Sequence, residues 1–210
     1  VAALGTSLTV QQVAQLREMS CEPIVATDAD AAGRIAAERD FWLLTSHGMN
    51  PRFARLPEGS DPADLSARHG AGSLLSELEQ ARDLGRELID ERLQHLDPEQ
   101  AALAAAGVLA AQPPDHWAAG VDHIAEATQV PSGLIRSALV SMIRVWNADP
   151  RQSADCQLRR AAEVKHRVLT QATLRGDRGS QSEPVSSSLS HATAERERRR
   201  SIRRPMGPAR

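Results

Sequence analysis

Ile24-Val25-Ala26-Thr27-Asp28-Ala29-Asp30-Ala31-Ala32-Gly33-Arg34 is the stretch that decides the fold. Pro23 breaks the chain before it, and Ile24 to Thr27 is a short apolar run of the kind a buried parallel strand requires. The run ends in two carboxylates, Asp28 and Asp30, at the edge where open α/β sheets place their ligands. From Ala31 to about Ser46 the residues suit a helix, with Ile35, Phe41, Trp42 and Leu43 as bulk and His47-Gly48 as the stop. Upstream, Val1 to Leu4 reads as the end of a strand, Gly5-Thr6-Ser7 as a turn, and Thr9 to Met19 as a helix with Val10, Val13 and Leu16 on one face. Downstream, Arg52 to Leu56 alternates polar and apolar as a third strand does, before the turn-rich Pro57-Glu58-Gly59-Ser60-Asp61-Pro62. Strands spaced by helices predict an α/β unit with a parallel sheet flanked by helices.

Past Gly70 the pattern turns wholly helical. Ser73 to about Leu96 reads as one helix, and Asp97-Pro98-Glu99-Gln100 opens the next, with Asp97 as cap and Gln100 at the capping-box position. Ala101 to Ala111 is a small-residue helix, and Asp115 and Ser132 are candidate caps for two more, with Trp117 and Trp146 as core anchors. The expected organisation is an α/β part over 1–83, a small all-α subdomain over 84–150, a polar helix over 151–175 and a disordered Arg-rich tail over 176–210. The tail follows from composition: Gly176 to Ser190 is rich in Gly and Ser, and Arg196 to Arg204 holds six arginines, too little apolar surface to repay ordering entropy.

Composition narrows the class further. The 210 residues, 41% hydrophobic, suffice for one ordinary domain or two small ones. The longest apolar run, Ala101 to Ala111, is far short of a membrane helix, and Cys21 and Cys156 form no Cys-x-x-Cys pair, so neither a disulfide scaffold nor a cysteine zinc site is indicated. A reducing cytoplasmic setting is expected. The chain opens on Val1 without a signal-like segment, which implies that its natural start lies upstream. The net charge of −2 conceals an acidic body and a basic end: residues 1–150 hold 11 arginines against 21 acids, residues 151–210 hold 14 basic residues against 6 acids. Basic ends of this kind meet phosphate backbones or acidic partners, or remain solvated.

Asp28 and Asp30 admit two readings. In a loop at the strand end both can face one cleft and share Mg²⁺, which takes oxygen ligands and keeps waters for substrate phosphate. The plainer reading makes them caps for the helix that follows. His116 and His123, seven apart beside Asp115 and Asp122, superficially suggest a second metal pair, though exposed His and Asp on an amphipathic helix are ordinary. Ile124 to Leu139 has the spacing of a helix-turn-helix reader, but with only Arg136 and Arg144 as basic residues helical packing is the better account.

The stretch from Val1 to about Leu75 resembles the second half of a Toprim domain, the catalytic fold of bacterial DNA primases, topoisomerases and some nucleases. The resemblance rests on Leu4-Gly5-Thr6, on Asp28-Ala29-Asp30 followed by Ala32-Gly33 in the primase manner, and on Leu56-Pro57-Glu58-Gly59-Ser60-Asp61-Pro62-Ala63-Asp64-Leu65. It departs from the pattern where the second Asp of the last motif shifts from position 63 to Asp64. The resemblance implies that Asp28, Asp30 and Asp61 hold Mg²⁺ or Mn²⁺. Arg34 is a candidate for phosphate contact, with a solvated helix arginine as the equal alternative. The family's general acid or base is a glutamate that would lie upstream of Val1, so no catalytic residue is expected in this chain. The implied function is primer synthesis by nucleotidyl transfer on single-stranded DNA, in a mobile-element setting, with nucleotides as substrates and a helicase or relaxase as a further partner. Two alternatives are a Toprim nuclease, against which Ala32-Gly33 argues, and a non-catalytic DNA-binding or docking module of a mobile-element relaxase or helicase.

Overall fold

A computed structural model describes residues 8–19 and 21–160. The strand expected over Val1 to Leu4, the Gly5-Thr6-Ser7 turn, the end of the polar helix and the tail over 176–210 lie outside the described residues.

Helix α1 (Val10–Glu18) begins where Thr9 accepts from the Gln12 N–H while the Gln12 side chain accepts from the Thr9 N–H, a complete capping box. Strand β1 (Ile24–Val25) leads into α2 (Ala31–Thr45), whose end matches the expected His47-Gly48 stop: Gly48 takes φ +78°, and the Gly48 and Met49 N–H groups donate to Thr45 and Leu44 carbonyls. Strand β2 (Arg52–Phe53) runs parallel to β1, with Ile24 opposite Arg52 and Val25 opposite Phe53. The expected strand over Arg52 to Leu56 is thus paired only at its start, although the Ala54 N–H still donates to the Val25 carbonyl.

Two features depart from the sequence reading. Helix α3 (Pro62–His69) follows directly on the expected turn over Pro57 to Pro62, where Asp61 at the cap and Pro62 at the first position carry the signal of a helix start. The single helix expected over Ser73 to Leu96 is interrupted: α4 (Ala71–Glu79) ends, β3 (Arg82–Asp83) pairs antiparallel to β2, and α5 (Leu84–His95) follows. The sheet, ordered β1-β2-β3, is therefore mixed rather than purely parallel. The residues Gln80 to Asp83 are compatible with a helix by propensity; tertiary bonds decide otherwise. The Arg52 guanidinium donates to the Ala81 and Glu79 carbonyls, and Asp83 turns from strand into cap by accepting from the Arg86 N–H at 2.6 Å.

The remaining helices surround α6 (Pro98–Ala110), where Ala101, Ala102, Ala105, Ala106 and Gly107 are buried, and small side chains let α5, α7 (Trp117–Thr128) and α8 (Ser132–Ala148) pack against it. Gly120 on α7 shows how close the approach is: a Cβ there would stand 2.5 Å from Leu109 Cδ1. Asp97 occupies the expected cap position of α6 without a side-chain bond, Ser132 is the first residue of α8 rather than its cap, and Asp115 sits in a short 3₁₀ turn (Pro114–His116) before α7. A further helix covers residues 150–160, capped by Asp149 through the Gln152 N–H.

One hydrophobic core runs through the described residues, from Val13 and Val25 through Phe41, Trp42 and Ile89 to Ile135 and Leu139. Trp146 packs on Trp42 with ring centroids 5.9 Å apart, and the Trp117 indole N–H reaches the Gln112 carbonyl, so both tryptophans serve as the anchors expected. A largely buried ion pair, Arg92 to Glu38 at 2.6 Å, fastens α5 to α2, with the Glu38 side chain buried and the Arg92 side chain 14% exposed.

Candidate functional site

The site is the rim where β1 ends and two loops meet. After Val25 the chain leaves the sheet through Ala26 and Thr27 and enters the Asp28-Ala29-Asp30 loop. After β2 it passes through Pro57 to Ser60 to reach Asp61 at the start of α3. One main-chain hydrogen bond joins the loops, from the Ala29 N–H to the Ser60 carbonyl at 3.0 Å. The two carboxylate motifs, separated by about thirty residues in sequence, are thereby neighbours in space.

Two of the three expected ligands already have work. Asp30 Oδ1 accepts from the Gly33 N–H at 2.7 Å and caps α2; Asp61 Oδ1 accepts from the Asp64 N–H at 2.6 Å and caps α3. Each cap occupies one oxygen, which leaves Oδ2 in both cases for another partner. Asp28 is exposed, and among the described residues no hydrogen bond or ion pair engages its carboxylate. Asp64, the displaced acid of the third motif, is bound by Arg68 at 2.7 Å on the surface of α3. Arg34 stands exposed in the first turn of α2.

Gly33 explains the small residue that follows the Asp-x-Asp. A Cβ at this position would lie 1.9 Å from the Asp28 carbonyl oxygen and 3.0 Å from the Asp28 nitrogen, so α2 approaches the loop more closely than any side chain permits. Thr27 adds a buried hydroxyl, Oγ1, without a hydrogen-bond partner, one residue before Asp28. Neither the interloop bond nor the orphaned hydroxyl has a sequence signal.

The donor set is all oxygen, which suits Mg²⁺ or Mn²⁺ and not a nitrogen- or sulfur-seeking metal. Among the described residues no three His, Cys, Asp or Glu side chains are gathered closely enough to cage an ion by themselves. Mg²⁺ does not demand such a cage, since it is commonly held by one or two carboxylates plus water and substrate phosphate. The carboxylates have the chemistry that an open site of this kind uses. The two histidines do not form a second one: His123 Nε2 pairs with Asp90 at 2.6 Å, while His116 faces Asp83 at 3.7 Å and Gln112.

Residues 1–66 match the family described as Toprim-like. A DNA primase of Halalkalibacterium halodurans is 41% identical over 71 residues, 34% of this chain, and the chain spans 12% of that relative's length. A DNA primase domain from Pseudomonas aeruginosa superposes with a TM-score of 0.54 at 24% identity, over 65% of this chain and 46% of that one. A DnaG primase catalytic domain bound to ssDNA gives a TM-score of 0.52 at 25% identity, over 63% of this chain and 45% of that one. The structural match extends beyond the Toprim-like residues and so takes in helices of the second part. Among the described residues no helix is long and apolar enough to cross a membrane. Motif order, the strand-loop-helix frame around Asp28 and Asp30, and these relatives together assign the amino-terminal part of this chain to the Toprim domains of DNA-primase type.

Proposed function

We propose that this chain is the metal-binding part of a DNA-primase-type nucleotidyltransferase, in which Asp28, Asp30 and Asp61 hold Mg²⁺ or Mn²⁺ and the substrates are nucleotides on single-stranded DNA. The observation that supports the reading is the Ala29 to Ser60 bond, which joins the Asp28-Ala29-Asp30 loop to the residue that precedes Asp61. A divalent ion bound there supplies charge neutralisation to phosphates during phosphoryl transfer. The chain's own residues do the rest: the two caps fix the loops, Gly33 admits the Asp28 main chain against α2, and Arg34 offers a guanidinium to phosphate oxygens. Residues 1–83 are assigned to the Toprim part and 84–150 to a helical subdomain that supports it through the shared core. Helicase or relaxase contact belongs to the same proposal for the whole protein.

Dual use of Asp30 and Asp61 as caps also favours a second reading, a docking module in which the carboxylates are structural only. A Mn²⁺ titration followed by thermal unfolding separates the two. Ligand at about 100 times its Kd adds about 2.7 kcal/mol of stability, so the melting temperature of the wild-type chain should rise with Mn²⁺. The Asp28→Asn/Asp30→Asn variant should not respond, and because Asn caps a helix as well as Asp, its melting temperature without metal should be nearly unchanged. An equal Mn²⁺ response in wild type and variant excludes these carboxylates as ligands.

A further inference from the structure

We infer that the turn Pro57-Glu58-Gly59-Ser60 is a positioning device for the metal rim, acting through the Ala29 to Ser60 hydrogen bond and depending on the left-handed backbone of Gly59. The inference rests on the reading of Asp28, Asp30 and Asp61 as metal ligands. The Ser60 N–H donates to the Pro57 carbonyl at 3.0 Å, which closes a β-turn, and Gly59, its third residue, has φ +73°. Glu58 is not at positive φ, so the turn is type II, the type that requires glycine or asparagine at its third position. No atom lies within 4 Å of a Cβ built on Gly59. The glycine is therefore held by backbone conformation alone, and its side-chain space is open to solvent.

The consequence follows from the order of the chain. Gly59 is followed by Ser60, whose carbonyl receives the Ala29 N–H, and then by Asp61, whose side chain caps α3. The turn thus fixes the direction of the Ser60 carbonyl, the carbonyl fixes Ala29, and Ala29 lies between Asp28 and Asp30. Ser60 and Ala29 touch no metal in this account; they set the separation of groups that do.

The test uses two substitutions in the full chain. Gly59→Val forbids the positive φ without meeting any neighbour, whereas Gly59→Asn tolerates it. Amide hydrogen exchange at Ala29 reads the strap without any metal: exchange should quicken about tenfold in Gly59→Val and return to within about twofold of wild type in Gly59→Asn. Mn²⁺ affinity, counted as free ion by paramagnetic resonance, should fall about tenfold in Gly59→Val and recover in Gly59→Asn. Unprotected Ala29 in the wild type, or equal Mn²⁺ affinity in the wild type and Gly59→Val, overturns the inference. If the wild type takes up no Mn²⁺, or Asp28→Asn binds it as well as wild type, the metal reading fails. In that case Ala29 exchange still decides whether the turn holds the loop, and the role of the turn in metal positioning falls with the reading it rests on.

Discussion

Gly33→Ala offers a sharp test of the packing at the Asp28 loop, because two physical effects predict opposite signs. Helix propensity alone favours alanine by at most about 1 kcal/mol, the value for a helix interior, since Gly33 is the third residue of α2. Sterics oppose it: the new Cβ would stand 1.9 Å from the Asp28 carbonyl oxygen, where ordinary contact begins at 3.4 Å. The obstacle is main chain on a loop tied to Ser60 at one side and entering α2 at the other, so no rotamer change relieves it. Relief requires a main-chain displacement of about 1.5 Å, and overpacking of this kind costs about 1–3 kcal/mol, the upper part of the range applying to a backbone obstacle. After the propensity gain is subtracted, the variant should be destabilised by about 1–2 kcal/mol, which for a chain of this size lowers the melting temperature by about 2–8 °C. Gly133→Ala on α8 is the matched control, since nothing lies within 4 Å of its Cβ, and it should melt at or slightly above the wild type. Both are read by circular dichroism at 222 nm. A Gly33→Ala chain that melts at or above the wild-type temperature refutes the close approach of α2 to Asp28.

Further predictions address charge and capping. Asp30→Ala should lose about 1 kcal/mol of stability in urea unfolding because the Gly33 N–H loses its acceptor, whereas Asp30→Asn should lose only a few tenths; equal losses in the two variants contradict the cap. Glu38→Leu leaves the Arg92 guanidinium without its partner in the interior and should cost about 3–5 kcal/mol, with Glu38→Leu/Arg92→Leu recovering most of the loss; a single variant within about 1 kcal/mol of wild type would mean that the pair is not buried in solution. Burial pushes the Asp40 carboxyl up to about 6 from 3.8, against the Arg39 guanidinium and the Leu8 N–H, which pull it down. A folded pKa above the unfolded one means that protonated Asp40 favours folding. Its contribution is complete below about pH 4 and lost as pH rises through about 6. Asp40→Asn should flatten the pH dependence of unfolding in that window, and an unchanged profile would assign the dependence to another group.

How much of this was legible in the sequence depended on whether local chemistry or distant pairing set the outcome. The βα unit around Asp28 was readable because a short apolar run, a capping carboxylate and a His47-Gly48 stop all lie within one segment and agree, although of β1 only Val25 is buried and Ile24 is exposed. The start of α3 at Asp61-Pro62 is equally local, but the same residues also suit a turn. By contrast, β3 is two residues long and exists through its partner Arg52-Phe53 and the guanidinium of Arg52; no periodicity can arise over two residues, and the flanking sequence is good helix. The caps divide in the same way. Thr9, Asp30 and Asp61 form the bonds their positions suggest, while Asp97 holds the position without the bond.

Under the proposed metal-binding reading, cap and ligand need not be alternatives. A carboxylate has two oxygens, and a helix N-terminus needs only one of them. Asp30 and Asp61 spend Oδ1 on Gly33 and Asp64 N–H groups, which fixes each side chain against a helix before any ion arrives. If the three carboxylates bind metal as proposed, that arrangement lowers the entropy lost on binding for Asp30 and Asp61, and leaves Asp28, without a cap to hold it, to be ordered by the ion. Asp30→Ala and Asp61→Ala should therefore change stability and metal affinity together, whereas Asp28→Asn should change affinity alone. This asymmetry among three residues of the same type arises from their places in the chain: Asp28 lies in the loop after a strand, and the other two cap helices.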